Sequence, residues 1–207
     1  MGTDGGYSRS TPKGTLTDAE DASLAPYSYG VNGPLAGLFV GGNYQFNKWV
    51  IGAEGDRQWS NLIGNGQTLA PLRATGVFPE GPFMISTTVK DYESIRGRLG
   101  IAFDRFFVFG TGGWAWGNPS TSYALSGAAP FITQGGYAGG WTAGAGVDYA
   151  ISNGVFGRIE YRYTNLSAPG VVSAATNSAD ATNRVPINDL RAGIAYKFGG
   201  GPVVAKF

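Results

Sequence analysis

Apolar and polar side chains alternate with a period of two residues along most of this chain. In residues 94–103 one face carries Ile, Gly, Leu, Ile and Phe, while the other carries Ser, two Arg, Gly and Ala. This period is typical of strands with one apolar face, since successive strand side chains point to opposite sides of the sheet. The pattern predicts an all-β, antiparallel fold with seven evident strands, over about 35–46, 49–61, 94–103, 106–117, 141–151, 155–164 and 189–198.

The composition limits the chemistry that the chain can perform. It has 35 Gly and 14% aromatic residues, but only 14% charged residues, where a soluble domain carries about 25%. Cys and His are absent, which removes disulfides, thiolate metal sites and the usual general base. We therefore expect no enzymatic activity and no cofactor. The net charge of +1 predicts no nucleic-acid partner.

No stretch of the sequence predicts a membrane-spanning helix. Residues 106–147 carry no charge, but many Gly and two Pro interrupt them, and no apolar run reaches about 18 residues. The first residues, Met-Gly-Thr-Asp-Gly-Gly, lack the basic and apolar regions of a leader peptide. If the chain lies in a membrane, it is expected to cross it with strands.

The predicted connections between strands alternate in length. Tight turns are predicted at Asn47-Lys48, Asp104-Arg105 and Ser152-Asn153-Gly154. Long polar or Gly/Pro-rich loops are predicted over about 63–87, 118–136 and 165–186. Short turns at one end and long loops at the other are typical of bacterial outer-membrane barrels.

The direction of the strands predicts that the first one is missing. Because the strand over 35–46 runs toward a tight turn, we expect residues 1–33 to be an external loop that follows a missing first strand. The barrel then covers residues 34–198, and residues 199–207 form a C-terminal tail. An even number of strands avoids an open edge in lipid, so seven visible strands predict an eight-stranded type. The alternative, that residues 1–10 or 24–31 supply the eighth strand, stays open.

Charged residues concentrate on the polar faces of the predicted strands. Opposite charges lie at matching faces of neighbouring strands, as a packed polar lumen requires. An eight-stranded barrel is only wide enough for its side chains to fill, so we expect a network of lumen charges. The alternative is a narrow ion or solute path with a charged lining. The predicted network comprises Glu54, Asp56, Arg96, Arg98, Asp148, Arg158, Glu160, Arg162, Asp189 and Arg191.

Aromatic residues on the apolar faces are expected near strand ends, where aromatic girdles anchor a barrel at both membrane interfaces. A soluble barrel such as a lipocalin would have an apolar inside and a charged outside, which is the reverse of this pattern. The predicted girdle comprises Trp49, Trp59, Trp114, Trp116, Trp141, Tyr149, Tyr161, Tyr163, Tyr196 and Phe198.

Six segments in combination resemble the small outer-membrane β-barrel family of porin-like immunogenic surface proteins of Gram-negative bacteria. They are residues 49–60, 96–103, 110–117, 140–149, 158–163 and 190–198. The resemblance implies an eight-stranded barrel in the cell outer membrane, inserted by the outer-membrane assembly machinery and in contact with lipid and lipopolysaccharide. It implies a surface antigen that contributes to envelope integrity. The alternatives are a narrow porin for small solutes and a loop-based adhesin or receptor, and no oligomeric state is predicted.

Overall fold

A computed structural model of the chain describes residues 1–17, 24–67, 83–125, 130, 132–168, 171–174 and 177–198. Within these ranges the fold is entirely β, and no helix is long and apolar enough to cross a membrane. The strands are β1 (Gly2–Ser10), β2 (Lys13–Thr17), β3 (Leu24–Ser28), β4 (Val31–Phe46), β5 (Trp49–Gln67), β6 (Phe83–Phe103), β7 (Phe106–Leu125), β8 (Ile132–Gly135), β9 (Ala138–Ser152), β10 (Val155–Ala168), β11 (Val171–Ala174) and β12 (Asn177–Tyr196).

Eight of these strands form a closed antiparallel ring in the order β1-β4-β5-β6-β7-β9-β10-β12, and β1 pairs back with β12. Closure leaves the ring without an open edge, which is what permits a sheet to cross lipid. The predicted all-β, eight-stranded barrel is confirmed.

The prediction that the first strand is missing is wrong, because β1 is that strand. Gly2 pairs with Ala195 of β12 on one side and with Phe39 of β4 on the other. The outward positions of β1 hold Thr, Gly, Tyr and Arg instead of a row of large apolar residues, so its alternation is weak in the sequence. The alternative that residues 1–10 supply the eighth strand is the correct one.

The prediction of an external loop over residues 1–33 is corrected accordingly. After β1, strand β2 pairs with the start of β12, and β3 pairs with β2, so both continue the wall of the barrel. Strand β4 then begins at Val31, three residues before the predicted barrel start at 34. The predicted tail at 199–207 lies outside the described residues.

The three tight turns lie where the sequence places them, and their backbone explains the residues found there. Asn47 and Asp104 have φ of 52° and 49°, and Gly154 has φ of 85°. Asn, Asp and Gly tolerate this left-handed region better than other residues. These turns lie at the same end of the barrel as Met1 and Tyr196, whose backbones are hydrogen bonded. We call this end the turn end and the opposite end the loop end.

The strands run much further toward the loop end than the sequence predicted. Strand β5 continues to Gln67, β6 begins at Phe83, and β12 begins at Asn177. Stretches predicted as loops over 63–87, 118–136 and 165–186 are therefore partly strand. Sequence alternation missed these parts because their pattern is reversed, as described below.

Candidate functional site: the barrel lumen

A layer of buried charged side chains fills the lumen at the level of the predicted membrane. All ten residues of the predicted network lie inside the barrel, each at most 9% exposed. The structure adds Asp4 of β1 as an eleventh member, 7% exposed. The sequence pattern did not indicate Asp4, because residues 1–33 were predicted to be a loop.

Four residues toward the turn end form a closed ring of alternating charge. Arg98 lies 3.4 Å from Glu54 and 2.9 Å from Asp148. Arg158 donates to the same two carboxylates, at 2.6 Å to Glu54 and 2.7 Å to Asp148. Each guanidinium thus meets two carboxylates, which offsets part of the cost of burying the charges.

A second group of ion pairs lies next to this ring, toward the loop end. Arg96 pairs with Glu54, Asp56 and Glu160. Arg162 donates two hydrogen bonds to Asp56, at 2.8 and 3.0 Å. These pairs join the neighbouring strands β5 and β6 to β10, which lies across the lumen from them, so the network ties the barrel wall together across its interior.

Inward-facing glycines make room for these long side chains. A Cβ atom at Gly113 would overlap the backbone oxygen of Ile95, and would lie 2.7 and 3.0 Å from the Cα and Cγ of Arg96. At Gly37 a Cβ atom would overlap the side-chain amide of Gln58. The many Gly of the sequence therefore serve in part to fit arginine and glutamine side chains inside a narrow barrel.

Aromatic rings close the lumen on the turn side of the charged layer. The guanidinium of Arg98 lies 4.1 Å from the ring centre of Phe109 and 4.8 Å from that of Phe107. Arg158 lies 4.3 Å from the ring centre of Phe39. These cation–π contacts favour the buried charges while the rings exclude water. Val50 and Ala102 are buried in the same cluster as the two β7 phenylalanines.

A second apolar layer, which sequence analysis missed, fills the lumen on the loop side. Residues such as Leu62, Ile85 and Leu166 have no solvent exposure. The thirteen members are Tyr27, Tyr29, Val31, Leu62, Ile85, Val89, Tyr92, Ala115, Tyr123, Ala138, Leu166, Val185 and Ile187.

The pattern of the wall is reversed around this layer. Beyond the membrane level, apolar residues point inward and Ser, Thr, Asn or Lys point outward, as in a soluble barrel. In β6 the inward positions change from even to odd numbers across a bulge between Val89 and Tyr92. Inward apolar residues opposite outward Ser and Thr over 83–90 were the available sequence signal for this layer.

The tyrosines of this layer carry most of its polar atoms. Tyr29 and Thr87 share a short hydrogen bond, and the Oγ1 of Thr87 lies 2.9 Å from that of Thr121. Burial raises the pKa of Tyr29 to about 12, and it raises the pKa of Tyr27 and of Tyr123 above the ordinary value. The layer therefore stays uncharged at physiological pH.

The predicted girdle residues all lie on the outer surface. Eight of them are exposed, and Trp116 and Tyr163 are partly covered. The expectation that they lie near strand ends is wrong for several of them, because the strands continue beyond the membrane. These lie well inside their strands: Trp59 in β5, Trp114 and Trp116 in β7, and Tyr161 and Tyr163 in β10. Large apolar residues such as Ile95 and Leu190, both 62% exposed, lie on the same outer surface.

An outward polar cluster near the bulge was also missed. Arg57 lies 3.0 Å from Asp91 and 2.6 Å from Glu93, and the indole of Trp116 donates to Glu93 at 2.8 Å. The side chain of Arg57 is 48% exposed. The cluster lies beside Trp59, at the level where the apolar outer surface gives way to a polar one.

The arrangement defines a class of protein. A closed antiparallel barrel with an apolar outer band, aromatic residues along it and a charged interior is a transmembrane β-barrel of the outer-membrane type. Toward the loop end the same barrel continues with the opposite polarity.

A family model, the outer membrane protein beta-barrel domain, matches residues 1–198, and the chain belongs to this family. It is 35% identical over 172 residues to the 31 kDa outer-membrane immunogenic protein of Brucella melitensis, covering 79% of this chain and 68% of the relative. It is 28% identical over 173 residues to the 22 kDa outer membrane protein of Rhizobium leguminosarum bv. viciae, covering 83% and 68%. The family resemblance and the location in the cell outer membrane are confirmed.

Among solved structures, Ail, the attachment invasion locus protein of Yersinia pestis, matches with a TM-score of 0.40 and 13% identity. The match covers 96% of this chain and 100% of that one.

Proposed function

We propose that this protein is a closed structural barrel that stabilises the outer membrane and presents its loop end on the cell surface. The observation that carries the proposal is the filled lumen. A charged layer whose ion pairs form among its own members lies between two apolar layers, and the layer toward the loop end has thirteen buried residues in the described part of the chain.

The two apolar layers oppose the passage of solutes. An ion that entered from the loop end would first meet side chains such as Leu62, Ile85 and Val89, which offer it no polar partner. Moving a charge into such surroundings without a partner is costly. Conduction would therefore require the apolar layer to rearrange.

The charged layer is the observation that favours the second candidate, a narrow porin for small solutes. Rings of charged side chains select ions in known channels. In this barrel, however, the guanidiniums and carboxylates bind one another across the lumen, so a permeating ion would have to displace these pairs. This is why we rank the porin below the closed barrel.

Single-channel conductance in planar bilayers tests the proposal. We expect the wild-type barrel to insert without steady openings. Steady openings whose conductance changes in Arg98→Gln or Glu54→Gln would contradict the closed barrel and support the porin. The matched control is Arg57→Gln on the outer surface, which should leave any conductance unchanged.

A variant with a gap in the apolar layer shows whether the conductance assay could have detected a channel. Leu62→Gly combined with Ile85→Gly shortens two fully buried side chains of that layer. If the layer is the barrier, this variant should open while it still shows the heat-dependent gel mobility of a folded barrel. A variant that stays folded and silent would assign the barrier to the charged layer instead.

The partners that we propose follow from the outer surface. Apolar residues there fit lipid acyl chains, and the tryptophans toward the loop end fit the interface with lipopolysaccharide. Insertion by the outer-membrane assembly machinery is part of the same proposal. We also propose that the protein is not an enzyme, which the absence of His and Cys supports.

The loop end is the part that we propose meets other cells or molecules. There β2, β3, β8 and β11 add short strands beyond the membrane-level wall, and such exposed ends commonly carry recognition. A loop-based adhesin is therefore a third candidate. Replacing residues 68–82 by a short Gly-Ser linker should abolish surface binding if this candidate is right, and should leave gel mobility unchanged.

A further inference from the structure

The buried charges of the lumen do not balance. Six carboxyl groups face five guanidiniums among the described buried residues. The carboxyl groups belong to Asp4, Glu54, Asp56, Asp148, Glu160 and Asp189, and the guanidiniums to Arg96, Arg98, Arg158, Arg162 and Arg191. An uncompensated buried charge is strongly unfavourable, so one carboxyl group calls for a further cation.

Lys197 does not lie where it could balance the excess at Asp4. Asp4 pairs in the sheet with Gly193. Lys197 is four residues further toward the turn end, which corresponds to about 13 Å along a strand. It follows the last residue of β12 and is only half-buried.

In the described part of the chain Asp4 has one ion-pair partner, Arg191, and two other carboxyl groups share it. Its Oδ2 lies 3.3 Å from Arg191, which also serves Glu160 at 3.1 Å and lies 3.9 Å from Asp56. Its Oδ1 is buried and has no hydrogen-bond partner among the described residues. In contrast, Asp189 accepts hydrogen bonds from two hydroxyl groups, those of Ser8 and Tyr92, each at 2.7 Å.

A second unpartnered acceptor belongs to the residue that contacts Asp4. Gln58 has no solvent exposure, and its Oε1 has no hydrogen-bond partner within the part of the chain that the structure describes. The Nε2 of the same amide lies 3.5 Å from the Oδ2 of Asp4. An amide oxygen and a carboxylate oxygen cannot satisfy one another, because both only accept.

We propose that Asp4 binds a proton in the folded barrel and that its neutral carboxyl group donates a hydrogen bond to the amide oxygen, Oε1, of Gln58. One proton removes the excess negative charge and supplies the missing donor. The charged groups that face this site are Arg191 from β12, Asp56 from β5, and Arg162 from β10. Strand β4 contributes Gly37 and Phe39, which do not titrate.

The position of Asp4 gives the proton a role in closing the barrel. Asp4 is the only charged lumen residue of β1, the strand that joins both edges of the sheet into a ring. A free Asp is ionised above about pH 4, so folding would take up one proton at neutral pH. Because folding takes up this proton, the folding equilibrium constant falls about tenfold for each pH unit above that value, as long as the folded carboxyl group stays protonated.

Infrared spectroscopy in micelles of a detergent without ester carbonyls tests the site directly. We expect the folded wild type to show the carbonyl band of a neutral carboxylic acid at pH 7, shifted by 13C-labelled aspartate and absent in Asp4→Asn. Gln58→Leu should shift the band, because the hydrogen bond is lost. Tyr92→Phe, the matched control beside Asp189, should leave it in place.

Three results would overturn the proposal. They are the absence of the band in the folded wild type, its persistence in Asp4→Asn, and a shift caused by Tyr92→Phe but not by Gln58→Leu. Gel mobility identifies the folded fraction in every sample. If Asp4→Asn does not fold, the isotope shift and the Gln58→Leu and Tyr92→Phe pair still decide the assignment.

The pH dependence of unfolding gives a second, independent test. Between about pH 5 and 7, raising the pH should weaken the wild type relative to Asp4→Asn by about tenfold in the folding constant per unit. Parallel pH profiles for the two proteins would contradict proton uptake by Asp4.

Discussion

The charged layer and the loop-side apolar layer occupy the same lumen but are held together by different forces. In the charged layer, residues such as Arg162 and Asp56 depend on specific partners at 2.8–3.0 Å. In the apolar layer, residues such as Leu62 and Ile85 need only close packing and exclusion from water. Removing one partner should therefore damage the first layer far more than trimming one side chain damages the second.

The difference follows from what surrounds each layer. At the membrane level the wall faces lipid, so apolar side chains gain nothing by pointing inward rather than outward. Polar side chains must then fill the lumen, and they are stable there only when paired. Beyond the membrane the wall faces water, and the hydrophobic effect again drives apolar side chains inward.

The largest expected effect comes from breaking the charged layer with Arg162→Met. This change keeps much of the side-chain volume but leaves the carboxylates of Asp56 and Glu160 without one of their guanidiniums. We expect a loss of about 3–5 kcal/mol in the free energy of unfolding, measured by urea titration in micelles. The control is Arg57→Met on the outer surface, where the ion pairs are exposed and the loss should stay below about 1 kcal/mol. Equal losses in the two variants would contradict the comparison.

A smaller effect is expected in the apolar layer from Ile85→Val. Removing one methylene group from this fully buried site should cost about 0.5–1.5 kcal/mol in the same titration. The control is Ile95→Val, a lipid-facing position that is 62% exposed, where detergent can fill the space and the cost should be close to zero. A larger loss at Ile95 than at Ile85 would show that the layer is not closely packed.

The smallest effect at neutral pH is expected from Tyr27→Phe, since the hydroxyl of Tyr27 makes no hydrogen bond of good geometry with the described residues. At alkaline pH the variant should differ from the wild type. Burial raises the pKa of Tyr27, so its contribution is complete below about pH 10, where the unfolded tyrosine ionises, and is lost as the pH rises further. The urea midpoint should therefore fall less between about pH 8 and pH 11 in Tyr27→Phe than in the wild type. An equal fall in the two proteins would contradict this account.

Particular residues show which parts of the fold the sequence pattern could predict and which it could not. Arg96, Arg98, Glu160 and Arg162 alternate strictly with apolar neighbours, and this local periodicity was enough to place them inside a barrel. Asp4 and Ser8 lie on the inward face of β1 in the same way. Because β1 has few large apolar residues on its outward face, no local pattern distinguished it from a loop. Its place as a strand depends on pairing with residues 187–195, at the far end of the chain.

The sequence by itself determined the strand type, the lumen charges, the lipid-facing aromatics and the tight turns, because each depends on neighbours within a few residues. Only the tertiary structure decided the ring closure by β1, the apolar layer behind the bulge in β6, and the imbalance of six carboxyl groups against five guanidiniums. These features arise between residues that are distant in the chain. Whether a side chain faces lipid, water or another charge is settled only when the ring has closed.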